Sequence, residues 1–305
     1  MKRAVSISIG SSKRDKTVEF ELLGEKVQLE RIGTDGDMQE ATRLYSELDG
    51  KVDAFGVGGA DLGLLVDDKW YPLYSILPLV KNVKKTPIAD GTGLKTTLEA
   101  TVGPVLEQKL GGYIKNKNVL VMTAVDRWGL AHGFVESGYE CVFGDLFFSL
   151  GLPIPIRKET AVKFIARLLL PIISRLPFRW VYPIGEEQEK RTPKMESYFQ
   201  WASIIAGDCH YITRYMPDKL KGKVIVTNTT TQDDVNLFRK AGVKYLVTTT
   251  PVLDGRSFGA NMMEAAILAA TGRKEPVDYA HPNKYFQEMR AYIKEMKLTH
   301  QIQEL

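Results

Sequence analysis

The stretch whose reading decides the fold is "NKNVLVMTAVDRWGLAHGFVESGYECVFGD", Asn116 to Asp145. An apolar run at 119–122 ends in a loop. A helical segment follows, closes at Gly138 and leads into a second apolar run that stops at Asp145. That is the order of a nucleotide-binding β-α-β unit, with an acid where a ribose diol would be held. The turn itself reads "TAVDRWG", with Gly129 alone where the usual fingerprint has three glycines. Thr123, Asp126, Arg127, Trp128 and Gly129 are the candidate cofactor contacts of this loop, and Asp145 is the candidate ribose ligand. A carboxylate at Asp145 would repel a 2′-phosphate, so NAD is expected over NADP. Asp126 either caps the helix or keeps a pyrophosphate away by its charge, and Arg127 offsets that charge. Trp128 either packs in the interior or offers a stacking face.

Downstream, strands are expected at 203–206, 223–227 and 245–249, with helices in the gaps. "QDDVNLFRKAG" is one such helix, with an acidic start and a stop at Gly242, and Thr231 with Asp234 outlines a capping box. Apolar strands alternating with helices imply a mostly parallel sheet whose ligands lie beyond the carboxyl ends of the strands. The strand ends in this half supply Asn228, Thr229, Thr249 and Gly255 as further cofactor contacts, and Asn261 as a substrate contact. His210 and the buried thiol expected at Cys209 complete the titratable groups there.

Upstream, strands are read at 3–9, 27–32, 52–57 and 86–89, a hairpin turns at Asp67-Asp68, and helices cover "DGDMQEATRLYSELDG" and "GLKTTLEATVGPVLEQKLGG". Gly103-Pro104 predicts a kink or a break within the second helix. The strand-end loops are "GSSKRD", "GGAD" and "DGTGLKT". They offer Ser11, Ser12, Arg14, Asp61 and Thr92 to a polar or anionic substrate. Asp90 and Lys95 flank a glycine turn, and a lysine held near a carboxylate can relay a proton to a carbonyl or alcohol oxygen.

The bulk numbers agree with a folded α/β chain. The 305 residues are 44% apolar and 26% charged, with net charge +4 and no basic block, which speaks against nucleic acid as a partner. Two cysteines form no disulfide framework, no residues have metal-ligand spacing, and "MKRAVSISIG" reads as a strand and not as a signal peptide. A cytoplasmic, reduced protein is expected. The apolar segment 161–185 is interrupted by Lys163, Arg167, Arg175 and Arg179 and by Pro171 and Pro177, so no membrane span is expected; a buried helix pair or interface lid is, with an apolar wall for a substrate or a surface resting on lipid as the alternatives.

The blocks "SISIGSSKRD", "KVDAFGVGGADL", "TPIADGTGLKTTLE", "TAVDRWG", "FGDLFFSLGLPIP", "IIAGDCHYITRYMP", "TNTTTQDD" and "TTTPVLDGRSFGAN" resemble a group of bacterial proteins labelled quinate 5-dehydrogenase. The resemblance implies the layout of the shikimate/quinate dehydrogenases: a substrate lobe, then a dinucleotide lobe, with the reaction in the cleft between them. In that layout Ser11 and Ser12 match the paired serines after the first strand, and Asp90 to Gly93 stands where an Asn-Thr-Asp motif is found. The loop that holds that family's catalytic lysine is here "GGADL", without a lysine, so Lys95 is the substitute.

The expected architecture is therefore a substrate lobe at 1–112, a Rossmann-like lobe at 113–275 and a C-terminal helix at 276–305 returning to the first lobe. The expected function is an NAD-dependent oxidoreductase acting on a small hydroxylated or carbonyl substrate, as a homo-oligomer. The alternatives are an S-adenosylmethionine-type transferase, which needs no pyrophosphate loop, and a non-catalytic ligand-binding module that has lost its cofactor.

Overall fold

The computed structural model describes residues 1–177, 191–250, 252–253 and 256–305. They form two compact units: Met1–Leu94, Leu169–Tyr182 and Leu253–Leu298 make unit 1, and Lys95–Leu168, Pro183–Val252 and Thr299–Leu305 make unit 2. Both are α/β with mostly parallel sheets, as the alternation of strand and helix patterns predicts. Gly255 lies outside the described residues.

In unit 1 the chain runs β1 (Lys2–Ser8), a 3-10 turn at Ser12–Arg14, β2 (Lys16–Leu22) and β3 (Glu25–Gly33). Helix α1 (Met38–Leu48) follows, then β4 (Ala54–Gly58), β5 (Gly63–Val66), β6 (Lys69–Pro72) and β7 (Ile88–Ala89). The main sheet has the order β2-β3-β1-β4-β7. β3, β1, β4 and β7 are parallel and β2 is an antiparallel edge. The edge strand was not expected from the sequence, although "TVEFEL" alternates. It is joined to β3 by Leu23-Gly24, both with positive φ (53° and 76°), a two-residue turn whose twist suits an antiparallel pair. Helix α1 covers the sheet through buried Tyr45, whose hydroxyl lies 3.0 Å from Ile7 O and 2.9 Å from Gly56 O. The Ala260–Ala270 helix packs against β1 and β4. The close fit explains Gly56, where a Cβ would stand 3.0 Å from Asn261 O. The Asn283–Glu295 helix also belongs to unit 1 and buries Tyr285, Phe286 and Met289.

Helix α2 (Thr92–Thr97) carries the chain onward to α3 (Val102–Leu110), β8 (Asn118–Val121), α4 (Trp128–Glu136), β9 (Glu140–Phe143), α5 (Asp145–Phe148) and α6 (Glu159–Ile173). After Glu196–Trp201 come β10 (Ile204–Ala206), helix Cys209–Tyr215, β11 (Val224–Thr227), helix Gln232–Ala241 and β12 (Tyr245–Thr248). The long helix expected at 93–110 does break, but ahead of Gly103-Pro104. A 3-10 turn at Glu99–Thr101 intervenes, and Pro104 falls in the first turn of α3, where its missing N–H costs nothing.

The unit 2 sheet has the order β9-β8-β10-β11-β12, all parallel, with Gln301–Glu304 added antiparallel to β12. Counted within the unit, that is the 2-1-3-4-5 order of a doubly wound, Rossmann-like sheet. Its direction of winding reverses between β8 and β10, and the carboxyl ends of those two strands form the topological switch point. The sheet interior is fully buried: Val119, Leu120, Val121, Ile204, Ile205, Val224 and Ile225 are all at 0% exposure. The terminal strand Gln301–Glu304 was not anticipated, because four polar-alternating residues at a chain end carry little signal.

Among the described residues no helix is long and apolar enough to cross a membrane. The expectation of a buried helix pair over 161–185 is only half met. Helix α6 buries Val162, Ala166 and Leu170, while Phe164, Leu168 and Ile172 stand exposed. Residues 178–185 of that stretch lie outside the described residues.

Candidate functional site

The carboxyl ends of β8, β10, β11 and β12 bring together a buried polar cluster in unit 2. Arg127, in the loop after β8, is 3% exposed. Its Nη1 donates to Glu99 Oε1 at 2.6 Å and its Nη2 to Asp208 Oδ2, after β10, at 3.1 Å. Thr249, after β12, donates its hydroxyl to the same Glu99 oxygen at 3.0 Å. Asn228, after β11, donates to Asp208 Oδ2 at 2.7 Å and accepts from Cys209 N–H. Thr229 follows it, half-buried. Burial opposes the charge on Arg127, but Glu99, Asp208 and Asp126 outweigh it and raise its pKa, so the guanidinium is held protonated.

Lys95 meets the same cluster. Its Nζ lies 3.4 Å from Asp126 Oδ1, and the two side chains are 15% and 27% exposed. Asp126 also lies 3.7 Å from Arg127 Nε. Three buried polar atoms of the cluster have no hydrogen-bond partner among the described residues: Thr123 Oγ1, Glu99 Oε2 and Arg127 Nε. Native interiors rarely leave such atoms unpaired, which sets this cluster apart from ordinary core.

The loop "TAVDRWG" is closed by its own neighbour. Asp145 accepts from Ala124 N–H at 3.1 Å and from Val125 N–H at 2.9 Å. Its carboxylate thus stands where an anion would sit on that loop. Burial pushes the Asp145 pKa up to about 6 against the pull of those N–H groups. Gly129 is used for packing: a Cβ there would meet Lys95 O at 2.1 Å. Trp128, 6% exposed, stacks on His132 at 6.3 Å with Lys163 over its face at 5.5 Å. The N–H groups of Ala124 and Val125 and the close-packed Gly129 are therefore not presented to a pyrophosphate, so the usual fingerprint contacts of a dinucleotide are not made by these three residues.

His210 lies in the unit 2 helix Cys209–Tyr215, where its N–H donates to the capping Asp208 at 2.9 Å; the other residues singled out by the sequence fall in unit 1. Asp90, paired in expectation with Lys95, is 2% exposed and accepts from Leu62 N–H at 2.8 Å and Thr92 N–H at 3.0 Å. Its carboxylate fastens the turn after β7, and the acid beside Lys95 is Asp126. Ser11 caps the Ser12–Arg14 turn, Ser12 N–H donates to Asp35 Oδ1 at 2.8 Å, and Arg14 is exposed. Arg31 binds the loop together through Ser11 O and Asp15 Oδ1. Asp61 and Thr92 are buried, and Asn261 donates to Ser6 Oγ at 2.8 Å.

Sequence reading missed two groups. Glu99 was one acid within a long helix pattern. Glu264, at 0% exposure, accepts from Tyr285 Oη at 2.5 Å and Leu94 N–H at 3.0 Å. Burial, with the charge of Asp90, pushes its pKa up to about 8. A lone acid in "GANMMEAAILAA" was the available signal. A separate cleft of about 210 Å³ in unit 1 is lined by Leu62, Trp70, Ile88, Lys274 and Tyr279, and none of the expected site residues borders it.

Among solved structures, an NAD-dependent malic enzyme from Thermotoga maritima is 13% identical, with 96% of this chain and 84% of that chain covered and a TM-score of 0.37. A glucose-galactose binding protein from Geobacillus stearothermophilus is 9% identical over 100% of this chain and 96% of that chain, with a TM-score of 0.36. Likenesses of this order carry no argument about chemistry. No curated protein matches the chain. Residues 3–90 match the profile described as Domain of unknown function (DUF8753). Residues 93–305, more than half of the chain, match that described as Domain of unknown function (DUF8754), and to that family the chain belongs.

Proposed function

We propose that the protein is an oxidoreductase of small hydroxylated or carbonyl compounds, of quinate or shikimate type, with the reacting oxygen at the unit 2 switch point. The observation that carries this reading is the Lys95–Asp126 pair, 3.4 Å apart and partly open to solvent at that point. An ammonium held by a carboxylate can give a proton to a developing alkoxide and recover it, which is the acid–base half of carbonyl reduction. The unpartnered Thr123 hydroxyl and Glu99 oxygen suit a substrate rich in hydroxyl groups, since each can pair with one. NAD is the proposed redox partner. Because Asp145 occupies the Ala124 and Val125 N–H groups of the β8 loop, the cofactor's pyrophosphate would be met by other groups.

A second reading is favoured by that closure: a ligand-binding module of the same fold that takes the hydroxylated compound alone. Thermal titration separates the two. Under the first reading NAD raises the melting temperature, and a ligand at 100 times its dissociation constant adds ~2.7 kcal/mol. Reduced-nicotinamide absorbance then appears with quinate or shikimate. Stabilisation by the hydroxy acid with no shift from NAD, NADP or S-adenosylmethionine would establish the second reading and sink the first.

A further inference from the structure

Nine large apolar side chains stand exposed among the described residues, and six of them fall within residues 150–172: Leu150, Leu152, Ile154, Phe164, Leu168 and Ile172. The last three belong to α6, which is apolar on two faces. Val162, Ala166 and Leu170 recur every fourth residue at 1%, 2% and 5% exposure, so that stripe is the core-facing one. Phe164, Leu168 and Ile172 recur at the same spacing at 64%, 57% and 64% exposure. At about 100° per residue the two stripes point to opposite sides of the helix. Core packing accounts for the first stripe and not for the second.

The charges around the second stripe have one dominant sign. Residues 157–168 contain Arg157, Lys158, Lys163 and Arg167 against the single carboxylate of Glu159. Glu159 is already engaged by Lys163 and His132, both at 3.2 Å, and Arg157 reaches the exposed Glu140 at 3.3 Å. An exposed aromatic and aliphatic stripe with cations alongside is the pattern of a helix lying in the headgroup layer of an anionic bilayer. A second copy seated on this face would set cations against their own counterparts, whereas anionic phospholipid supplies the opposite charge. At 15 residues α6 is about 22 Å long, too short to span the hydrocarbon layer, so it would lie on the surface.

We propose that α6, with the apolar segment 150–154, docks the protein reversibly on a membrane surface rich in anionic phospholipid. The apolar stripe enters the headgroup boundary, and the cations beside it remain at phosphate level with their stems along the apolar surface. The docking is independent of the reaction proposed above.

The test is co-sedimentation of the full chain with vesicles of phosphatidylcholine alone and with phosphatidylglycerol added. Expected are binding to the anionic vesicles that weakens at high salt, and a partition coefficient at least tenfold lower for Phe164→Ser/Leu168→Ser. Both positions are exposed, so that variant should keep its melting temperature. As a second readout, an environment-sensitive dye on Leu168→Cys should shift only with anionic vesicles. The proposal is overturned if the anionic vesicles leave the protein in the supernatant or if the double variant binds as well as the parent. It also falls if the stripe instead mediates self-association that the double variant abolishes, without vesicle binding.

Discussion

Asp145 Oδ1 accepts the backbone N–H of Val125 at 2.9 Å, so the acid that ends β9 closes the loop that follows β8. Its other oxygen takes the N–H of Ala124. In a dinucleotide-binding lobe those two positions serve different parts of the ligand: loop N–H groups meet phosphate and the strand-end acid meets ribose. Here each satisfies the other, and the pair is complete without a ligand.

Replacing Asp145 by Ala therefore strands one buried and one half-buried N–H group, at up to ~1–3 kcal/mol for each group left unpaired. The expected result is a clear drop in melting temperature together with a new anion site. Inorganic pyrophosphate should stabilise Asp145→Ala and leave the parent protein unchanged. A variant that melts like the parent would show that the carboxylate does not hold the loop.

Lys95→Met removes the proposed proton carrier while keeping most of the side-chain volume. Turnover of the hydroxylated substrate should fall by ~10²–10⁴, the usual contribution of one acid–base group, with substrate binding largely retained. Asp126→Asn should lose less rate and shift the pH profile, since it acts by holding Lys95. Steady-state kinetics across pH distinguishes the two, and full activity in Lys95→Met would remove that residue from the reaction.

Arg127 and Glu99 are 4% and 3% exposed at their side chains. Removing one charge leaves the other uncompensated, so Arg127→Met should cost ~3–5 kcal/mol in chemical denaturation. The double change Arg127→Met/Glu99→Leu should recover much of that loss, because no lone charge is then buried. Additive losses in the cycle would mean that the two are not coupled.

Glu264 gives unit 1 a pH dependence of known sign. Its folded pKa of about 8 lies above the ordinary 4.5, so the fold favours the neutral acid. That contribution is complete below pH 4.5 and is lost as pH rises towards 8, on the order of 5 kcal/mol in all. Denaturation midpoints measured from pH 5 to 9 should fall in the parent and stay nearly level in Glu264→Gln, which keeps one acceptor oxygen for the Leu94 N–H and can donate its amide to the Tyr285 hydroxyl. An equal slope in both proteins would place the dependence elsewhere.

Gly129→Ala tests whether that glycine serves packing. A methyl group 2.1 Å from Lys95 O forces backbone apart, and ~3 kcal/mol of destabilisation is expected by thermal melting. A neutral substitution would return Gly129 to the list of residues kept for a ligand.

The alternation of apolar runs with helical segments already specified two α/β units, and the strand ends already located the polar residues. Periodicity and turn chemistry are local properties, so β8, α4, β9, the Thr231–Asp234 capping box and the hairpin at Asp67-Asp68 could be read from neighbouring residues alone. Partners distant in the chain could not. The sequence placed Lys95 with Asp90, five residues away, whereas the fold gives it Asp126, thirty-one away. It offered Asp145 to a ribose, whereas the fold spends that carboxylate on a loop twenty residues upstream. It left Glu99 and Glu264 unremarked, because an acid becomes unusual only when burial strips its water and a partner from another element replaces it. What the residues by themselves determined was which elements form and which groups stand at their ends. Which of those groups face one another, and which are already satisfied, was decided by tertiary packing, because desolvation and hydrogen-bond pairing depend on what the folded chain brings within about 3 Å.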